Sequence, residues 1–360
     1  MTSLLTTNEG ENMQITSQDM SLKSGKVIKK YLLSNSSGMQ VEVLNVGATL
    51  TKIIVPDEKG NYENVILEWE DINLYENNPG NFGATVGRVA GRIYQGKVTI
   101  DDKTYHFPQN TFENTLHGGI NGFHTKIWEG EVTSTDNEAI LTLHYLSKDG
   151  EEGFPGNLNV KAYYILKEDN SLTIKYEATT DQTTVVNLTN HAYFNLSGET
   201  KRSILDQEVY INSDRICDLD HQLIPTGEII NLDEEPAFDF RTPKAVKTHI
   251  DMDNQHLKNG CGYDHCWLLK ETGKAAELYD PISKRCMSIT TNAPGVVVYT
   301  MNHADGITKL SNGLPQQKRY GICFETQKKP IGYNEVFKEE VILKPGEIYG
   351  QETVFKFSIR

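Results

Sequence analysis

Between residues 139 and 178, and again at the C terminus, apolar and polar side chains alternate with a period of two. In Leu172-Thr173-Ile174-Lys175-Tyr176-Glu177-Ala178 the residues Leu172, Ile174, Tyr176 and Ala178 fall on one face and the polar ones on the other, the mark of a half-buried strand. Ala139 to Leu146, Leu158 to Leu166 and the run Phe355, Phe357, Ile359 repeat the rhythm, and no stretch carries a helical stripe longer than about three turns. Asn121-Gly122, Asp149-Gly150, Asn259-Gly260, Asp305-Gly306 and Asn312-Gly313 supply turn signals between such runs. Strands of this kind must cover their apolar faces with another sheet, so the expected fold is all-β, a large antiparallel sandwich. No Pro/Ser-rich linker or fixed-period repeat splits the chain, which predicts one domain over residues 21–360, preceded by a polar, mobile tail over 1–20 in which Met13 is an alternative start.

The formal charge of −14 opposes phosphate backbones and anionic membranes, and no basic run offsets it. No nucleic acid or membrane partner is expected. The five cysteines are scattered, odd in number and without Cys-x-x-Cys spacing, which predicts reduced thiols in the cytoplasm. The N-terminal residues have neither the basic start nor the apolar core of a secretory signal, and no run approaches a membrane span.

Chemistry concentrates in a few segments. Taken as a strand, Val185 to Leu196 puts Asn187, Thr189, His191, Tyr193 and Asn195 on one face, a row of uncharged hydrogen-bonding groups with one titratable imidazole. Such a row suits a groove that reads hydroxyls. In Gly321-Ile322-Cys323-Phe324-Glu325-Thr326-Gln327, Glu325 sits among apolar neighbours whose desolvation would raise its pKa. His117, in Leu116-His117-Gly118-Gly119, lies on a tight loop. The glycines of Gly87 to Ile93 are wrongly spaced for a dinucleotide fingerprint, and the acidic loop Asp149 to Gly156 lacks the alternating ligands of a calcium loop, leaving it a structural hairpin or a rim. No His-Glu-x-x-His or Gly-x-Ser-x-Gly motif occurs, so neither a metal nor a covalent nucleophile is expected.

Phe82 to Ile93, Leu116 to Gly119, Asp149 to Gly156, Asn187 to Leu196, Gly262-Tyr263-Asp264-His265 and Phe324-Glu325-Thr326-Gln327, in this order, resemble the aldose 1-epimerase (galactose mutarotase) family over roughly residues 25–360. The resemblance implies a galactose mutarotase-like β-supersandwich that binds an aldose sugar, with His191 as general acid and Glu325 as general base. It further implies that His117 supports the ring-oxygen region and that Arg92 and Asp264 hold sugar hydroxyls. Hemiacetal opening needs one acid and one base, so no cofactor is implied. For the same reason His191 should begin protonated and Glu325 ionised.

Two positions depart from the family pattern. Gly91 precedes the site arginine where many members carry asparagine, and Ala293 stands where some carry glutamine or an aromatic residue. Both changes shrink side chains and predict a roomier substrate site beside Gly91, open to galactose, glucose or the reducing end of a disaccharide such as maltose. A non-catalytic sugar-binding sandwich and a hexose-6-phosphate 1-epimerase are the rival readings, the latter lacking an evident basic pocket. Either a monomer or a homodimer fits the sequence.

Overall fold

The computed structural model describes residues 13–271 and 273–360. Three antiparallel sheets dominate. The largest has nine strands in the spatial order Glu129–Ser134, Glu138–Ser147, Leu158–Lys167, Ser171–Thr180, Tyr349–Ile359, Arg285–Thr291, Ala276–Tyr279, Glu208–Ile211 and Lys244–Ala245. All four alternating runs read from the sequence are neighbours here, so the C-terminal strand closes the gap between the middle of the chain and its later third. Along Leu158–Lys167 the residues Leu158, Val160, Ala162, Tyr164 and Leu166 are fully buried while Asn159, Lys161 and Lys167 are exposed, as the two-residue period requires.

A five-stranded meander from Gln14–Ser21 to Tyr62–Asn64 forms the second sheet. The third has five strands in the order Pro225–Asn231, Ser213–Leu219, Asp264–Leu269, Gly295–Tyr299 and Cys323–Gln327. One continuous apolar core draws on all three, joining Leu33, Val41 and Val43 from the second sheet, Leu143 and Tyr164 from the first, and Trp267, Val298 and Phe324 from the third. This is a sandwich with a split second layer, and all three sheets share one apolar core.

The expected tail is corrected in part. Residues 14–21 are a full strand paired with Val27–Ser34, and Met13 is fully buried in the core. The segment is an edge strand whose apolar contacts come from Ile15 and Met20, so its composition looks like that of a tail. Residues 1–12 of that predicted tail lie outside the described residues. Asn259-Gly260 ends the short helix Gln255–Gly260 and does not turn a hairpin. Trp69, Trp128 and Trp267 are all core residues.

Candidate active site

The third sheet sorts its side chains by the same alternation. In Cys323–Gln327, Phe324 turns into the core, while Cys323, Glu325 and Gln327 share the opposite face. Glu325 is directly across from Val297, and Asp264 across from Tyr299. Glu325, Gln327, Val297, Tyr299, Asp264 and Cys266 thereby line the floor of an open cleft of about 840 Å³.

The walls come from loops of the first half of the chain. The two-residue ladder of Arg92–Ile93 with Thr115–Leu116 sets Arg92 opposite Leu116 and so beside His117. His117 has φ of 52°, and its Nδ1 accepts from the Gly91 amide at 3.3 Å. Gly118 follows at φ +84°, where an added Cβ would lie 1.9 Å from the Gly87 carbonyl oxygen. Only glycine fits there, because both the backbone conformation and the space forbid a side chain. The two glycine-rich motifs act together behind this loop. Arg88, fully buried, donates to Ser147, Lys148, Pro155 and Gly156. That fork holds the acidic loop, whose Glu152 accepts from the Ile120 amide at 2.8 Å and from Asn121 at 3.3 Å. The hairpin read from the sequence is therefore a brace for the His117 loop.

His191 arrives on the stretch that pairs with Thr85–Val86, its amide donating to the Ala84 carbonyl at 2.9 Å. Its Nε2 lies 3.5 Å from Glu325 Oε1 and its Nδ1 lies 3.5 Å from Cys323 Sγ. The rings of His117 and His191 meet edge to face with centroids 5.3 Å apart. The polar row expected on this segment does not face the cleft as a unit. Only His191 and Tyr193 line it, and the segment is not one regular strand. Asn187 is fully buried and exchanges two hydrogen bonds with the Lys328 backbone, at 3.0 and 2.9 Å, and Thr189 donates to the Thr326 carbonyl at 3.0 Å. These bonds clamp the His191 segment along the Glu325 strand, which fixes the spacing of the two side chains. Asn195 instead ties Arg202 and Tyr320.

Arg92 Nη2 stands 3.5 Å from Asp264 Oδ2. Arg92 Nε and Gln327 Oε1 are buried without an intramolecular partner, and in a folded protein such unpaired groups call for an explanation. Gly91 also lines the cleft, at φ +73°, but its Cβ direction is filled by the Pro330 ring, 2.7 Å away. The room expected beside Gly91 is thus occupied. Ala293 is buried at the hairpin after Thr291 and is not part of the cleft lining. Sequence reasoning missed Tyr299 and Gln327. Gln327 was within reach, since period two puts it on the face of Glu325.

Burial governs the electrostatics. It pushes the Glu325 carboxyl well above the usual carboxylate range, with Asp264 adding to the rise and Arg92 opposing it. The His191 imidazole is pushed down to about 4 by burial, with His124 acting in the same direction. His117 is lowered well below its ordinary value by burial and by His191 and Arg92. Burial also raises Asp264, against the pull of Arg92. Burial therefore acts against the charged form of both groups, the direction opposite to the charge-separated pair expected from the sequence. Donor atoms of His117, His191 and Glu325 lie within 4.8 Å of one another, whereas zinc bonds of ~2.0–2.2 Å would bring tetrahedral neighbours to roughly 3.3 Å. The trio would have to contract to hold such an ion.

A sequence profile described as aldose 1-epimerase matches residues 29–356. The chain is 38% identical to the galactose mutarotase of Homo sapiens over 338 residues, 93% of this chain and 95% of that protein. It is 31% identical to the aldose 1-epimerase of Escherichia coli K12 over 339 residues, 92% and 96% of the two chains. The crystal structure of a galactose 1-epimerase from Lactobacillus acidophilus superposes with a TM-score of 0.87 at 30% identity, covering 96% of this chain and 99% of that one. With its sandwich, its cleft and these relatives taken together, the chain belongs to the aldose 1-epimerase family.

Proposed function

We propose that this chain is a mutarotase that interconverts the α and β anomers of free aldoses such as galactose or glucose, with His191 as acid, Glu325 as base and His117 as a third catalytic group. The observation that carries the reading is the 3.5 Å contact of His191 with Glu325 on the floor of a cleft. Arg92 and Asp264 beside them, with the unpaired Arg92 Nε and Gln327 Oε1, offer donors and acceptors to ring hydroxyls.

The neutral pair and the pair His191-H⁺/Glu325⁻ differ only by one proton moved across that contact. In the charged form His191 protonates the ring oxygen while Glu325 takes the anomeric hydroxyl proton. The bond from the anomeric carbon to the ring oxygen breaks, leaving a free aldehyde. That step returns the pair to its neutral form, the form that burial favours. After rotation of the aldehyde, Glu325 returns its proton to the carbonyl oxygen and His191 removes one from the attacking hydroxyl, closing the ring on either face. Acid and base groups each contribute about 10²–10⁴ in rate. His117, held neutral, is a hydrogen-bonding partner for the ring-oxygen region.

A phosphorylated sugar fits poorly, because Arg92 is the single Arg or Lys among the described residues lining the cleft and faces Asp264. Free thiols at all five cysteines suit a cytoplasmic enzyme, and among the described residues no helix is long and apolar enough to cross a membrane. Polarimetry of freshly dissolved α-galactose and α-glucose tests the proposal. Mutarotation should be faster with the protein than with buffer, and rates no faster than buffer for either sugar would leave a non-catalytic sugar-binding protein.

A further inference from the structure

The two ring nitrogens of His191 meet different surroundings. Nε2 lies 3.5 Å from Glu325 Oε1 at the cleft floor, and Nδ1 lies 3.5 Å from Cys323 Sγ. Cys323 is fully buried and is not part of the cleft lining, so a bound sugar meets the ring at Nε2. Both partners belong to one strand. Cys323 and Glu325 are two residues apart on the same face of Cys323–Gln327, a spacing of about 6.7 Å. The His191 segment runs antiparallel beside that strand. Phe194 exchanges backbone hydrogen bonds with Ile322 at 2.8 and 3.0 Å, and the Thr189 hydroxyl donates to the Thr326 carbonyl at 3.0 Å. Anchored on both sides, His191 has its imidazole held between the thiol and the carboxyl.

The reaction fixes what Nδ1 must do. While Glu325 holds the proton it donates to Nε2, so the hydrogen of the neutral ring is on Nδ1. When His191 is the acid, both nitrogens carry hydrogen. Nδ1 is therefore a donor throughout, and the proton that moves is the one on Nε2. Which nitrogen of a neutral imidazole is protonated is set by the partner of the other. The titratable groups around the ring are Glu325 and Cys323 from one strand, His117 from its loop, Tyr193, Tyr299 from Gly295–Tyr299, and His124. Of these, Cys323 is the partner of Nδ1. The carbonyl of His191 itself also bonds the ring, but it is shared with the Gly83 amide, which donates to it at 3.0 Å.

Resting on the mutarotase reading, we propose that Cys323 is a positioning residue, its sulfur accepting the Nδ1 hydrogen and holding His191 in the tautomer that turns a bare Nε2 toward Glu325. Sulfur is a weak acceptor. A carboxylate in its place would stabilise the imidazolium and so make a poorer acid. The thiol orients the ring without holding back the proton that the sugar must receive.

Nitrogen NMR of the isotope-labelled full chain near neutral pH reads the tautomer directly, the His191 signals being identified by their loss in His191→Asn. The expected pattern is a protonated Nδ1 and a bare Nε2. The reverse pattern in the wild type would overturn the proposal, whether or not any Cys323 variant folds. Polarimetry with α-galactose then compares Cys323→Val, close in volume but without an acceptor, and Cys323→Ser, which supplies a stronger one. In Cys323→Val kcat should fall about five- to tenfold, the worth of one hydrogen bond, with KM unchanged. Cys323→Ser should recover most of that loss and move the acid limb of the pH profile up by about one unit. Wild-type kcat in Cys323→Val, or equal losses in both variants with an unmoved limb, would also overturn it. If the wild type accelerates no sugar, the mutarotase reading falls and this one with it, whereas a reversed tautomer in an active enzyme sinks the role of Cys323 alone.

Discussion

Replacing Glu325 by glutamine keeps the shape of the side chain and its capacity to hydrogen-bond a hydroxyl, and removes only the exchangeable proton. Glu325 is 2% exposed, with Oε1 3.5 Å from His191 Nε2. The loss in kcat should be about 10²–10⁴-fold, equivalent to roughly 2.7–5.4 kcal/mol of barrier, with KM little changed. Stability should move the other way. A carboxyl whose folded pKa lies above its unfolded value, as burial makes it here, binds its proton more tightly in the folded chain. Its contribution is fully present below the unfolded value of about 4.3 and is lost as pH rises through the folded one. Near pH 7 the wild type therefore bears a cost that the amide does not, and Glu325→Gln should melt about 1–3 °C higher, an advantage that shrinks toward pH 4. Polarimetric rates at saturating sugar and melting curves at pH 4 and pH 7 measure both effects. Wild-type turnover would refute the assignment of the base. Lost turnover together with a lowered melting temperature would assign Glu325 to the fold.

Other expectations follow from the same contacts. Because burial takes His191 down to about 4, the acid limb of the kcat/KM profile in monosaccharide mutarotation should lie near pH 4, and a limb between pH 6 and 7 would show that burial does not govern this imidazole. Asn187→Ala removes both bonds to the Lys328 backbone and should cost about 1–3 kcal/mol in urea unfolding, along with turnover, since it clamps the acid segment to the base strand; unchanged turnover would deny it that positioning role. Arg88→Lys cannot reproduce a planar fork that reaches Ser147, Lys148, Pro155 and Gly156. It should destabilise the chain by roughly 3 kcal/mol or more, and a wild-type melting temperature would contradict the bracing role given to that loop.

What could be read in advance was whatever period two records. Alternation announces the strands of the nine-stranded sheet, and in Cys323–Gln327 it also separates the cleft face from the core face. Alternation failed where polar residues satisfy backbone rather than ligand. Asn187 and Thr189 look like sugar-reading groups because nothing local reveals that Lys328 and Thr326 lie beside them. The edge strand Gln14–Ser21 escaped for a related reason, since its pairing is made by backbone and its side chains are mostly solvated. The raised pKa of Glu325 could be read from its apolar neighbours, but the lowered one of His191 depends on how dry the cleft is, a property of the packed whole.

The cleft draws Arg92, His117, His191, Asp264 and Glu325 from five separate segments. Bringing residues so far apart in sequence together carries the entropy of closing the loops between them, which slows folding. The lining runs from Gly80 to Pro330, so no piece cut between those positions holds all of it. Catalytic rate should accordingly behave as an all-or-none gauge of the native population, rising during refolding only with the slowest recovery of structure.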